Sequence, residues 1–124
     1  MALNPTAMTY ALLSILIVSN DSALSHTRAQ LLRQWHTVVV PPEVAPDAIA
    51  ASAWHLLIIC QTIPDDIAAK LVEQLTVLHP SAKVMAISRE GQIRRLRSVQ
   101  IEADVTHPWW LPDAVASVLS AVDS

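Results

Sequence analysis

The sequence predicts a single α/β domain in which a parallel sheet is covered by helices on both faces. Runs such as 12–18 and 56–60 are rich in β-branched residues and nearly continuous in hydrophobicity, as strands buried on both sides require. Segments with apolar residues at helical spacing follow such runs, so that strand and helix alternate along the chain. Of the 124 residues 52% are hydrophobic and 15% charged, which suits one well-buried core and not a disordered tail.

Residues 1–10 contain a proline and several small residues without clear period, and they read as a lead-in to a domain over 11–124. The apolar run 11–18 is far shorter than the roughly 20 residues that cross a bilayer, so membrane insertion is not expected. Leu12-Leu13-Ser14-Ile15-Leu16-Ile17-Val18 is the expected central strand. Ser19-Asn20-Asp21-Ser22 are turn and cap residues, and Leu24, Arg28, Leu31, Leu32 and Trp35 follow at helical spacing. His36-Thr37-Val38-Val39-Val40 is a second strand, closed by Pro41-Pro42, whose missing amide hydrogens end sheet pairing. A short alanine-rich helix is expected over 46–53, and Leu56-Leu57-Ile58-Ile59-Cys60 is the third strand.

Pro64-Asp65-Asp66 places a proline in the first turn of a helix and two carboxylates at the positive end of its dipole. Ile67, Leu71, Leu75 and Leu78 then share one face. Lys83–Ser88 is a fourth strand, a weak helix is expected over 92–97, and a fifth strand over 101–106. The last helix starts at Pro112-Asp113 with Leu111, Val115, Val118, Leu119 and Val122 as its apolar face. Right-handed crossovers between parallel strands send function to the strands' carboxyl ends, here the loops after Val18, Cys60, Ser88 and Thr106.

The chain has one glycine, Gly91, too few for a phosphate-cradling loop or a dinucleotide fingerprint. Its net charge of -3 supplies no global positive field for nucleic acid or an anionic membrane. The single cysteine, Cys60, has no intramolecular disulfide partner and no secretory signal is recognisable, so the expected location is the cytoplasm. His26, His36, His55, His79 and His107 form no pair at metal-ligand spacing, and neither a metal nor another cofactor is expected.

Several anchor residues over about 13–122 make the chain resemble the response-regulator receiver family. That family's first strand ends in an acidic pair, where this chain has Ile17-Val18-Ser19-Asn20. Its third strand ends in the phosphoacceptor aspartate with a proline four residues on; Pro64 matches the proline, and Cys60 stands in the acceptor place. Ser88 matches the family's Ser or Thr after the fourth strand. His107-Pro108 keeps the proline of a Lys-Pro pair but not the lysine, and Asp104 falls on the aromatic switch position. The resemblance implies a flavodoxin-like (βα)5 three-layer sandwich with five parallel strands in the order 2-1-3-4-5. It also implies a degenerate phosphorylation site at Ser19, Asn20, Asp21, Cys60, Ser88 and His107, with Asp21 reaching the metal-binding place only after a one-residue slip. Phosphoryl transfer to a receiver needs an oxygen nucleophile and a magnesium ion held by hard carboxylate ligands, so a pseudo-receiver is expected.

Three functions follow as expectations. The first is a non-enzymatic signalling module that binds another protein, or pairs as a homodimer, through Trp109 and Trp110 beside Arg94, Arg95 and Arg97. Exposed tryptophan and arginine are enriched at binding hot spots, although the two indoles can equally serve packing. The second is a small-ligand binder or thiol enzyme using the pocket around Cys60 and His107, against which stands a structural, semi-buried Cys60. The third, DNA binding through Arg94 to Arg97, is disfavoured by the acidic balance. Trp35 and Trp54 are assigned to packing.

Overall fold

The computed structural model describes residues 13–88, 101–104 and 111–122. Its strands are β1 (Ser14–Val18), β2 (His36–Val40), β3 (Leu56–Ile59), β4 (Lys83–Ser88) and β5 (Ile101–Asp104). Its helices are α1 (Ser22–Leu31), α2 (Ala45–Ala51), α3 (Asp65–Leu78) and α4 (Leu111–Val122). All strand pairs are parallel. The order β2-β1-β3-β4 makes the body of a flavodoxin-like sheet, and the four-residue β5 pairs along β4 from Met85↔Ile101 to Ser88↔Asp104. The expected lead-in over 1–10, the helix over 92–97 and the end of the fifth strand at 105–106 lie outside the described residues.

The alternation of side chains along each strand divides the core in two. Ile15, Ile17, Leu56, Ile58, Met85 and Ile87 face a layer closed by Leu32, Trp35, Val115 and Leu119. Leu16, Val18, Leu57, Ile59 and Val84 face the other layer, closed by Ile49, Trp54, Leu71, Val72 and Leu75. β1 and β3, the central pair, lose nearly all contact with water on both sides, which is why their sequences show no polar alternation.

β1 begins at Ser14 and β3 ends at Ile59, each inside the run read from the sequence, α2 ends at Ala51 and not at Ala53, and two further boundaries differ for local reasons. The first helix stops at Leu31, and a turn follows in which Leu32 N–H donates to Arg28 O and Trp35 N–H to Leu32 O. Trp35 is thus buried from a turn and not from a helix. The helix α2 starts one residue before Pro46, since proline fits the first turn, where its missing N–H is not needed. At seven residues α2 is too short to be stable alone. Three of its carbonyls accept side-chain donors: Pro46 O from Gln74 Nε2 (2.8 Å), Ala48 O from Trp54 Nε1 (2.8 Å) and Ile49 O from His79 Nε2 (2.9 Å). His55, just before β3, holds the start of β1, where the Ser14 N–H donates to His55 Nδ1 at 3.0 Å.

Replacing a side chain at the centre of the sheet should therefore cost far more than replacing one on the helix surface. Ile58→Ala is expected to lose about 3 kcal/mol in urea unfolding. Val77→Ala, at a residue 75% exposed on α3, should change stability by less than about 0.5 kcal/mol.

Candidate functional site at the strand carboxyl ends

The register of the two central strands fixes what stands at their ends. Val18 pairs with Ile59, and the Cys60 N–H donates to Val18 O at 3.1 Å, so Ser19 and Cys60 leave the sheet side by side. Ser19 is 5% exposed, with its N–H bonded to Val40 O of β2. Its hydroxyl accepts the Asp21 N–H at 3.1 Å and lies 3.4 Å from Asp21 O, closing a tight turn into α1. Asp21 is exposed at the head of that helix. The Asn20 N–H donates to Thr62 Oγ1 at 3.2 Å, which ties the loop after β1 to the loop after β3.

Cys60 is 0% exposed and belongs to the apolar cluster with Ile17, Ile58 and Ile87. The expected semi-buried cysteine is thus fully buried. The chain turns beyond it, with the Ile63 N–H on Cys60 O, and Pro64 caps α3 with Asp65 and Asp66 exposed in the first turn. Gln61 Oε1 is buried without a hydrogen-bond partner among the described residues. Ser88 ends β4 beside Asp104 of β5. His107, Arg94, Arg95, Arg97, Trp109 and Trp110 lie outside the described residues. Among the described residues no three His, Cys, Asp or Glu side chains converge as metal ligands.

Comparison with solved structures places this arrangement. The signal receiver domain of a Luxo repressor protein from Vibrio parahaemolyticus is similar over 90% of this chain and 93% of its own, with TM-score 0.77 and 15% identity. A CheY-like response regulator receiver domain protein from Methanospirillum hungatei is similar over 90% and 97%, with TM-score 0.77 and 17% identity. The fold is that of a receiver domain. A pilus assembly protein from Burkholderia thailandensis shares the fold over 88% of this chain and 99% of its own, with TM-score 0.71 and 20% identity. No protein-family model and no curated protein matches the sequence.

In this receiver fold the residues at the ends of β1 and β3 offer a hydroxyl, an amide and a thiol, with Asp21 beyond them at the helix start. Sequence reasoning missed Thr62 and Gln61, although their place just after a buried strand was a usable signal. It also missed a shallow cavity of about 210 Å3 lined by Trp54, His55, His79, Pro80, Ser81 and Ala82. That cavity lies at the amino ends of β3 and β4, on the side of the sheet away from the loops where function was expected. The Asn20–Thr62 bond can be checked directly. Thr62→Val should speed amide hydrogen exchange at Asn20 by about fivefold, as loss of about 1 kcal/mol of hydrogen bonding implies.

Proposed function

We propose that the chain is a signalling module of receiver fold that phosphorylation does not switch and that acts by binding another protein. The observation that carries this reading is the furnishing of the strand ends, where Ser19, Asn20 and Cys60 stand in the places that hold acidic residues in the receiver family. An acyl phosphate requires a carboxylate, and Cys60 has none. Magnesium requires hard oxygen ligands, preferably charged. The donor set here does not fit such an ion: the Ser19 hydroxyl is engaged by the Asp21 backbone, the exposed Asn20 side chain offers a neutral amide oxygen, and the Cys60 sulfur is soft and buried among apolar groups. Asp21 alone would leave most of the cation's charge unmet.

Signalling and pilus-assembly proteins both appear among the similar structures, so the fold by itself does not select the task and the site has to. Protein recognition fits a domain without catalytic groups at its strand ends. The residues proposed for it, or for pairing of two copies, are Arg94, Arg95, Arg97, Trp109 and Trp110, which lie outside the described residues. No helix among the described residues is long and apolar enough to cross a membrane.

A second reading, a small ligand held at the same crevice, is favoured by the buried Gln61 Oε1, which could accept an N–H or O–H from such a ligand. A Cys60-dependent activity is disfavoured by the thiol's complete burial. Incubation with acetyl phosphate and magnesium should leave the intact mass unchanged, and a stable gain of one phosphoryl group would overturn the proposal. Iodoacetamide should label Cys60 slowly in the folded protein and quickly in urea. Fast labelling of the folded protein would revive the thiol reading.

A further inference from the structure

At the amino ends of β3 and β4, at the far end of the sheet from the crevice, His55 and His79 both line the shallow cavity of about 210 Å3. Backbone partners fix which nitrogen of each ring carries the proton. His55 Nδ1 accepts the Ser14 N–H at 3.0 Å, so Nδ1 is bare and Nε2 carries the hydrogen. His79 Nε2 meets the Ile49 carbonyl at 2.9 Å. A carbonyl only accepts, so here Nε2 carries the hydrogen and Nδ1 keeps its lone pair. Neither His55 Nε2 nor His79 Nδ1 is buried, and neither has a hydrogen-bond partner among the described residues. The two rings thus hold one N–H donor and one acceptor in reserve. The rest of the lining is mainly apolar, from Trp54, Pro80 and Ala82, with the Ser81 hydroxyl beside them.

This set of groups selects among ligands. A metal ion would find one usable nitrogen, because His55 cannot bare Nε2 while Nδ1 serves Ser14, and among the described residues no third ligand converges. An ion of either sign would meet no Asp, Glu, Lys or Arg in the lining. The volume lies below the roughly 300–1,000 Å3 of drug-sized sites and suits a single ring. We propose that the cavity binds a small uncharged lactam ring, whose carbonyl accepts from His55 Nε2–H and whose N–H donates to His79 Nδ1. Such a ligand acts beyond its own contacts. Donation from Nε2 enriches the lone pair on His55 Nδ1, and acceptance at Nδ1 makes His79 Nε2–H a stronger donor, so each hydrogen bond polarises the next. Occupancy therefore tightens the start of β1 through Ser14 and the end of α2 through Ile49. The site is remote from the strand-end crevice, and its ligand binds whether or not that crevice has kept receiver chemistry.

Titration of the whole 15N-labelled chain with 2-pyridone at about pH 7.5 tests the site, since histidine is then largely neutral. The amides of residues 54–55 and 79–82 should shift saturably, with a dissociation constant of about 1 mM or below for a ligand this small. N-methyl-2-pyridone keeps the carbonyl but loses the N–H, and should bind at least about tenfold more weakly. Saturation with 2-pyridone should slow amide hydrogen exchange at Ser14 by about threefold. His55→Phe keeps a ring at the cavity but removes both nitrogens, and should abolish the saturable shifts. The comparison of the two pyridones needs no variant and decides the matter should His55→Phe fail to fold. Equal binding of the two pyridones would reduce the cavity to an apolar hollow and overturn the proposal. So would an absence of saturable shifts up to about 20 mM 2-pyridone, shifts confined to residues 18–21 and 60–63, or unchanged Ser14 exchange at saturation.

Discussion

Because β1 and β3 lie side by side with both faces out of water, a slip of one residue in their pairing would turn Ile15 and Ile17 into the core layer opposite to that of Leu56 and Ile58. That constraint carries the rest of the structure. It fixes the point at which each strand ends and hence which residues emerge together at its carboxyl end. Ser19 and Cys60 are neighbours because Val18 and Ile59 are. The chemical character of the crevice is thus decided by hydrophobic burial several residues away, and the same register leaves Asp21 to the start of α1.

The crevice is also closed by the protein's own bonds. The Ser19 hydroxyl holds the turn into α1, and Thr62 holds the loop after β1 to the loop after β3. Neutral hydrogen bonds organise both loops. Such bonds add modest stability each, but they need neither a metal nor a second charge to form. The base of the sheet is organised by similar means, with His55, Trp54, His79 and Gln74 serving backbone groups that the short α2 and the start of β1 leave open.

The strands were legible because burial on two faces leaves an unmistakable run of Ile, Leu and Val. The start of helix α3 was legible because Pro64 and two acids mark it; of the four apolar residues expected on its face Leu71 and Leu75 are buried and Ile67 is half-buried, whereas Leu78 is 48% exposed and Ala68 and Val72 complete the buried face. Less legible was the end of α1: Leu32 and Trp35 keep helical spacing while the backbone leaves the helix, since spacing records which side chains are buried and not how the backbone carries them. Of the site, Ser19, Asn20 and Cys60 were visible by alignment to strand ends. The Thr62 bridge was not, because a hydroxyl's partner across 42 positions has no local signature. Arg28 was in plain view at a core position of α1, yet only the structure shows its Nη1 buried without a partner among the described residues.

Titration with magnesium and beryllofluoride, followed by amide shifts of the 15N-labelled chain, tests most directly whether the crevice has lost its receiver chemistry. The amides of residues 18–21 and 60–63 should not move beyond the small uniform drift caused by ionic strength. Saturable, magnesium-dependent shifts confined to those two loops would contradict it.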